Sequence, residues 1–599
     1  MPQALACVGR IGQATAGWSA LILLLIVACS PPPQVERPQY PLPVDVEIAQ
    51  SEPGRYGGLL VRSDSQEPKT FNPLVAEDAY SAQAIDLLLS SLTRYDPFTE
   101  AAVPMLAKSW DISADHKTYT FHLRQGVRWS DGQPFSAADV VFTFDAIFDK
   151  RYPNRYSQQF TIAGQPLRYT ALDDHTVQLT TPEIYAPLLA DLAAVSILPH
   201  HQLQAAFADG GLQKQWTSQT AIRQPGTIVG IGPFRLFSYR PGERMVLAPN
   251  PHYWRADSKG QRLPYVDFLI SKFVPNRGAE TVLFATGQTD VASIGVTDIA
   301  WVSQAARTYD FTIYDRGPDT GITFIWFNQH PGQRNGKPFV EPYKLDWFQD
   351  VRFRQAIAYG LDRPGLIKAV YSGRAHPLDS IISPANRKWH NPNTRTYPYD
   401  PDKARALLAE AGFRRRSDGV LEDAGGHPVE FELLASEGSQ TNTGVATTLM
   451  ENMRVLGIKV TLTLLDFGTL VGKITNTFDY EAAMMGFTGG GDPSGGKSIY
   501  RSDGRLHAWY PEQPRPATPW EARIDTLMDE QERTLDEPER IARIREIQAI
   551  FSEQLPLIFL VTPTAYAGIK NRWQNVRVPP TDSIIWNIDE LWVKDGSHD

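Results

Sequence analysis

The chain of 599 residues holds only two cysteines, Cys7 and Cys29. If Cys7 belongs to a cleaved leader, one thiol remains, which excludes internal disulfides, Cys-built metal centres and dithiol redox chemistry. Long apolar runs are scarce as well. The one of note, Ala20–Cys29 (ALILLLIVAC), is about half of the roughly 20 residues that a bilayer-spanning helix needs. Basic blocks and aromatic-basic interleaving are missing and the formal net charge is −9, so nucleic acid is not an expected partner. His-Glu-x-x-His and Gly-x-Ser-x-Gly are absent too, which removes those metalloprotease and esterase templates. No short-period repeat is present.

What is there begins at the N-terminus. Arg10 is the only charge in the first 28 residues, and the apolar run ends in Ile26-Val27-Ala28-Cys29, which resembles a lipobox. The pattern predicts a lipoprotein signal peptide over 1–28, with Cys29 lipidated as the mature N-terminus. Cleavage removes one Arg and no acid, so the mature charge is −9 − 1 = −10. Ser30–Gly54 is dense in proline and predicts a semi-extended tether over 29–53. The rest exceeds one ordinary hydrophobic core, so two or three domains are expected.

From Gly54 the pattern is mixed α/β. Tyr119–Arg124 alternates as a half-buried strand, and Thr176–Thr181 and Arg244–Asn250 read as strands too. Ser136 followed by Asp139 marks a capped helix start. Asp173-Asp174 reads as a turn, and His200-His201 as a solvated element end without metal spacing. Near Gly321 the rhythm changes. GITFIWFNQ fits a strand covered on both faces, and helices follow that open on Asp350, Asp362 and Asp400. VEFELLAS, GVATTLMENMRVLG, IKVTLTLLD, TLVGKITNT and YEAAMMGF then alternate as βαβαβ, the signature of a parallel sheet.

Residues 490–498 (GGDPSGGKS) match a phosphate-cradling loop. Such a loop needs a helix behind it, and Asp503-Gly504 with Pro511, Pro514, Pro516 and Pro519 oppose one. Asp492 would set a carboxylate against phosphate, and Pro493 removes a donor. Ser494 and Lys497 also match a Ser-x-x-Lys motif, but two glycines lie between them. The stretch reads better as a bare turn at the carboxyl end of a parallel strand, where open α/β sheets bind ligands.

Leu92–Phe148 (LTRYDPFTEAAVPMLAKSWDISADHKTYTFHLRQGVRWSDGQPFSAADVVFTFDAIF) closely resembles the signature region of the extracellular solute-binding proteins of peptide ABC importers, the oligopeptide- and dipeptide-binding family. Glu67–Leu74, Gly230–Trp254 and Asp350–Arg363 are similar to further family segments, in the family's order. The resemblance implies an α/β, two-lobed periplasmic-binding-protein-like fold of three domains with a hinge. The first lobe would comprise 54–92, 171–315 and 560–599, an inserted domain 93–170, and the second lobe 316–559. It implies a monomeric binding protein, without catalytic residues, cofactor or metal, that delivers an oligopeptide-like ligand to a membrane permease. Its expected place is the periplasm or cell surface, anchored through Cys29. The same fold binding an oligosaccharide or another small molecule is the nearest alternative, and an exported serine hydrolase or transpeptidase built on Ser494 and Lys497 is the alternative from another class.

Ligand residues implied by the resemblance lie around the expected cleft. Peptide-binding members carry a Trp-x-x-Asp-Tyr-like segment whose Asp meets the peptide's α-amino group. Here the region reads MGFTGGGDPSGG, with Phe487 at the aromatic position and Asp492 displaced and followed by proline. Asp492 either pairs with a cation or shapes an Asp-Pro turn, and Phe487 either walls the pocket or joins the core. Glu67 and Asn72 in the first turn, Trp326 and Asn328 on the strand entering the second lobe, Tyr500 after the glycine loop and Trp586 in the tail complete the set.

Overall fold

Short-range signals place the helix starts. Ser136 and Asp139 form a capping box at the start of Ala137–Phe148, and Asp350, Asp362 and Asp400 each accept a backbone N–H in the first turn of the helix they open. Each such cap satisfies an otherwise orphaned donor and contributes about 1 kcal/mol. The computed structural model describes residues 37–594; the expected signal peptide, the proposed lipidation site Cys29 and part of the expected tether lie outside these residues. Met1–Gln39 forms a unit apart from Tyr40–Asp599, and the following concerns the latter.

In the first lobe the strands Phe234–Arg240, Arg244–Pro249, Phe268–Phe273 and Leu59–Asp64 lie side by side in that order. Each of the first three is antiparallel to its neighbour, and Leu59–Asp64 adds to Phe268–Phe273 in parallel. The sheet is locked to the helix Ala79–Leu88 through a contact only glycine allows: a Cβ on Gly230 would stand 2.1 Å from the Leu88 carbonyl oxygen. The chain's two ends are fastened to this lobe by one buried side chain. Arg255 pairs with Asp589, with Glu590 at 2.8 Å and with Glu47 at 3.1 Å.

A second, antiparallel sheet has the order Ala107–Ile112, Thr118–Leu123, Thr176–Thr180, Arg168–Asp173. The expected boundary at 170 therefore cuts through an edge strand. The Asp173-Asp174 turn returns the chain into the middle of this sheet, where Val177 and Leu179 are buried. The expected tether is likewise shorter than 29–53. Asp45 accepts the Gln125 N–H and pairs with Lys108 at 2.8 Å, and Glu47–Ile48 runs parallel to Arg255–Ala256.

In the second lobe, five strands are ordered Lys459–Leu465, Glu430–Ser436, Ala482–Phe487, Ile322–Phe327, Ile558–Phe559. The first three are parallel, and Ile322–Phe327 is antiparallel to its neighbours. Apolar clusters cover both faces. Ile325 and Phe327 enter one cluster, while Ile322, Phe324 and Trp326 enter the other. That is why the sequence of this strand shows no alternation.

Two strands join the lobes. Val561–Lys570 pairs with Ala375–Pro377 of the second lobe near its start and with Val291–Ile294 of the first near its end. Phe311–Pro318 runs beside it, with a register break between Asp315 and Pro318, where Gly317 adopts φ 79°. A bulge in paired crossings concentrates backbone rotation in a few residues, as a hinge requires. Among the described residues no helix is long and apolar enough to cross a membrane.

Candidate ligand-binding site

The three parallel strands of the second lobe end on one side, at Ser436, Leu465 and Phe487. The ladder between Ala482–Phe487 and its antiparallel neighbour stops at Phe487, and Thr488, Gly489 and Gly490 beyond it are exposed. The path of this loop depends on glycine: a Cβ on Gly489 would sit 2.7 Å from the Thr320 carbonyl oxygen, and Gly490 and Gly491 have φ 134° and 69°. The strand end thus offers bare backbone. Phe467, 60% exposed, follows the end of the edge strand Lys459–Leu465, two strands away.

Asp492 does meet a cation, and it comes from the chain itself. Arg540 donates to both carboxylate oxygens at 2.6 Å, and Asp492 also accepts the Ser494 N–H. Ser494 Oγ in turn accepts from Arg540 and Gln531. The Lys497 ammonium pairs with Glu532 at 2.8 Å rather than with Ser494. The two residues of the Ser-x-x-Lys match are thus each engaged by other partners, Ser494 by Arg540 and Gln531 and Lys497 by Glu532.

Two acids of the first lobe are desolvated. Asp191, on the helix Leu188–Leu192, is buried; burial pushes its carboxyl up to about 7, Asp492 and Glu532 across the seam add to this, and a hydrogen bond from Tyr185 at 2.6 Å opposes it. Asp86, on Ala79–Leu88, is reachable by solvent, yet desolvation pushes it up to about 6, helped by Asp582 and opposed by Arg155. Desolvation likewise raises Asp582, against hydrogen bonding from Ser583 and the charge of Arg316. Neither Asp86, Asp191, Asp582 nor Phe467 stood out in the sequence. An isolated acid in an amphipathic helix carries no local mark of the desolvation that the fold imposes on it.

The expected residues divide into groups. Phe487 rests on Phe324 with ring centroids 4.8 Å apart, Phe324 touches Trp326, and Tyr500 is buried in the same cluster. Asn328 is buried at the other end of its strand, donating to the Phe478 and Tyr480 carbonyls. Glu67 accepts from the Tyr239 hydroxyl and the Gly242 N–H, and Asn72 donates to the Leu212 and Gln215 carbonyls. Trp586 meets Phe98 edge-on at 5.5 Å, with Arg577 over both rings. Of Phe487, Trp326 and Tyr500 only Phe487 leads directly into the glycine loop; Trp326 and Tyr500 are buried in the core cluster behind it, which corrects their expected place in the cleft, and Glu67, Asn72 and Asn328 serve turns elsewhere.

The sequence pattern of the bacterial extracellular solute-binding proteins, family 5 Middle, matches residues 101–505. The chain belongs to this family. A probable ABC transporter-binding protein of Deinococcus radiodurans is 28% identical over 86% of the chain and 89% of its own length. The dipeptide-binding protein of Escherichia coli is 26% identical over 87% of the chain and 92% of its length. Among solved structures, the oligopeptide-binding protein AppA of Bacillus subtilis, in complex with a nonapeptide, superposes with a TM-score of 0.69 at 23% identity, covering 91% of the chain and all of AppA. The family frame assigns the two lobes and the crossing strands to one solute-binding architecture.

Proposed function

We propose that the chain is the substrate-binding component of an ABC importer, that its lobes close on an oligopeptide-like ligand, and that it acts as a monomer delivering to a permease. Lipid on Cys29 would hold it at the membrane. The observation that carries the ligand class is the bare backbone of Thr488–Gly490 at the strand ends. An extended peptide brings its own N–H and C=O groups to such exposed backbone. The peptide-binding relatives support the same reading. In this reading Phe487 and Phe467 wall the pocket, and Asp492 shapes the loop rather than holding the ligand. Ligand contacts made only when both lobes meet shift the population towards closure. A micromolar ligand supplies about 8 kcal/mol, enough to offset a closing cost of a few kcal/mol.

Native mass spectrometry of the chain purified without residues 1–28, before and after denaturation, tests this. A ladder of short peptide masses is expected. A discrete oligosaccharide mass would overturn the peptide assignment while keeping the importer. An empty protein showing no thermal shift with a mixture of short peptides would also sink it, since ligand at about 100 times its Kd adds roughly 2.7 kcal/mol.

A further inference from the structure

The hairpin Thr93–Asp96 and Ala101–Pro104 ends in a turn that Asp96 ties together. Its carboxylate accepts the N–H groups of Phe98 and Thr99 and the Thr99 hydroxyl. The residue that closes the turn, Glu100, has φ 52°. Glycine or asparagine suits that conformation, and a long side chain is strained there. Glu100 is also buried, at 7% exposure.

Its carboxylate reaches the second lobe. The Arg387 N–H donates to Oε1 at 3.1 Å and the Lys388 N–H to Oε2 at 3.2 Å, while Lys388 Nζ donates to the Glu100 carbonyl at 3.2 Å. Lys388 Nζ also pairs with Glu537. The segment so held leads into the candidate site, because Asn386 Nδ2 donates to the Gly491 carbonyl at 3.1 Å. Next to Lys388, the Trp389 ring lies under the Arg540 guanidinium that grips Asp492. A second crossing lies nearby, where Ala186 N–H donates to the Glu532 carbonyl and Arg533 pairs with Glu183 at 2.7 Å.

We infer that Glu100 is a closure latch: its carboxylate captures consecutive backbone N–H groups of the second lobe, holds the lobes together and positions the glycine loop. A strained residue whose long-range hydrogen-bond partners among the described residues all lie in the other lobe is retained for those partners. The latch is a positioning device and rests on two-lobed capture, not on any particular ligand. It gives the inserted domain a task, clamping the lobe that carries the glycine loop.

The test needs no ligand. From Ser30 on the chain holds no cysteine, so nitroxide labels at Leu172→Cys on the inserted sheet and Asp402→Cys on the second lobe report their separation by pulsed electron resonance. Both positions are exposed. Glu100→Gly removes the carboxylate and supplies the residue that the turn favours. The closed-to-open ratio should fall about tenfold or more, as expected for lost charge-assisted hydrogen bonds, with the melting temperature unchanged or raised. Lys388→Ala, which keeps both backbone donors, should shift the ratio less. Identical distance distributions for Glu100→Gly and the parent chain would overturn the latch. So would a loss of closure that merely tracks a fall in melting temperature. Failure of the peptide assignment would leave this result untouched.

Discussion

Arg540 holds Asp492 with both terminal guanidinium nitrogens, Nη1 to Oδ2 and Nη2 to Oδ1, each at 2.6 Å. Both side chains are buried, with 8% and 9% exposure. The acid nearest the glycine loop is therefore committed within the second lobe before any ligand arrives. A carboxylate so engaged cannot offer both oxygens to an incoming ammonium group without releasing a buried guanidinium.

Asp492→Asn should destabilise the chain by about 3–5 kcal/mol, because it leaves a buried Arg540 without its countercharge. Urea unfolding followed by circular dichroism measures this. A variant as stable as the parent would show that the pair is not structural and would return Asp492 to the ligand.

Asp191 makes folding stability sensitive to pH. Its carboxyl titrates at about 7 in the folded chain and at about 3.9 in the unfolded one. The folded chain therefore holds a proton between these values that the unfolded chain has released. Its contribution is fully present below about pH 4 and is lost as pH rises through about 7. Asp191→Asn keeps an acceptor for the Tyr185 hydroxyl and removes the titration. Its melting temperature should vary less between pH 4 and 7, and its stability at pH 7 should exceed the parent's by on the order of a few kcal/mol. Parallel stability curves for the two chains would contradict the assignment.

Arg255→Met should cost about 3–5 kcal/mol, since Asp589, Glu590 and Glu47 would keep buried charges with no shared cation. Because Arg255 fastens both chain ends, limited proteolysis should cut the tail near Trp586 before the lobes unfold. Cleavage at the parent's rate and sites would argue against that role.

Much of the fold was legible because its causes are local. The Ser136–Asp139 box, the aspartate caps at 350, 362 and 400 and the βαβαβ alternation each depend on side chains within one or two turns of the backbone they organise. The change of rhythm near Gly321 was visible for the same reason: Ile322–Phe327 is covered on both faces and its composition says so. Boundaries were harder. The edge strand Arg168–Asp173 carries mostly exposed residues, and only the pairing of Thr176–Thr180 between it and Thr118–Leu123 reveals which sheet owns it. The proline-dense spacer gave no sign of docking from Asp45 on, since its partners Lys108, Gln125 and Arg255 are far away in sequence.

By itself the sequence determined the α/β class, the family and the bare glycine turn at a strand end, all properties that periodicity and short motifs encode. Only the tertiary structure decided what each charge does. Asp492 meets Arg540, 48 residues away; Lys497 meets Glu532 instead of Ser494; and Glu100 reaches Arg387 and Lys388, 287 and 288 residues on. A carboxylate's role depends on which cation or N–H comes within about 3 Å and on how much water is excluded around it. Both follow from how distant segments pack, and no local pattern records them.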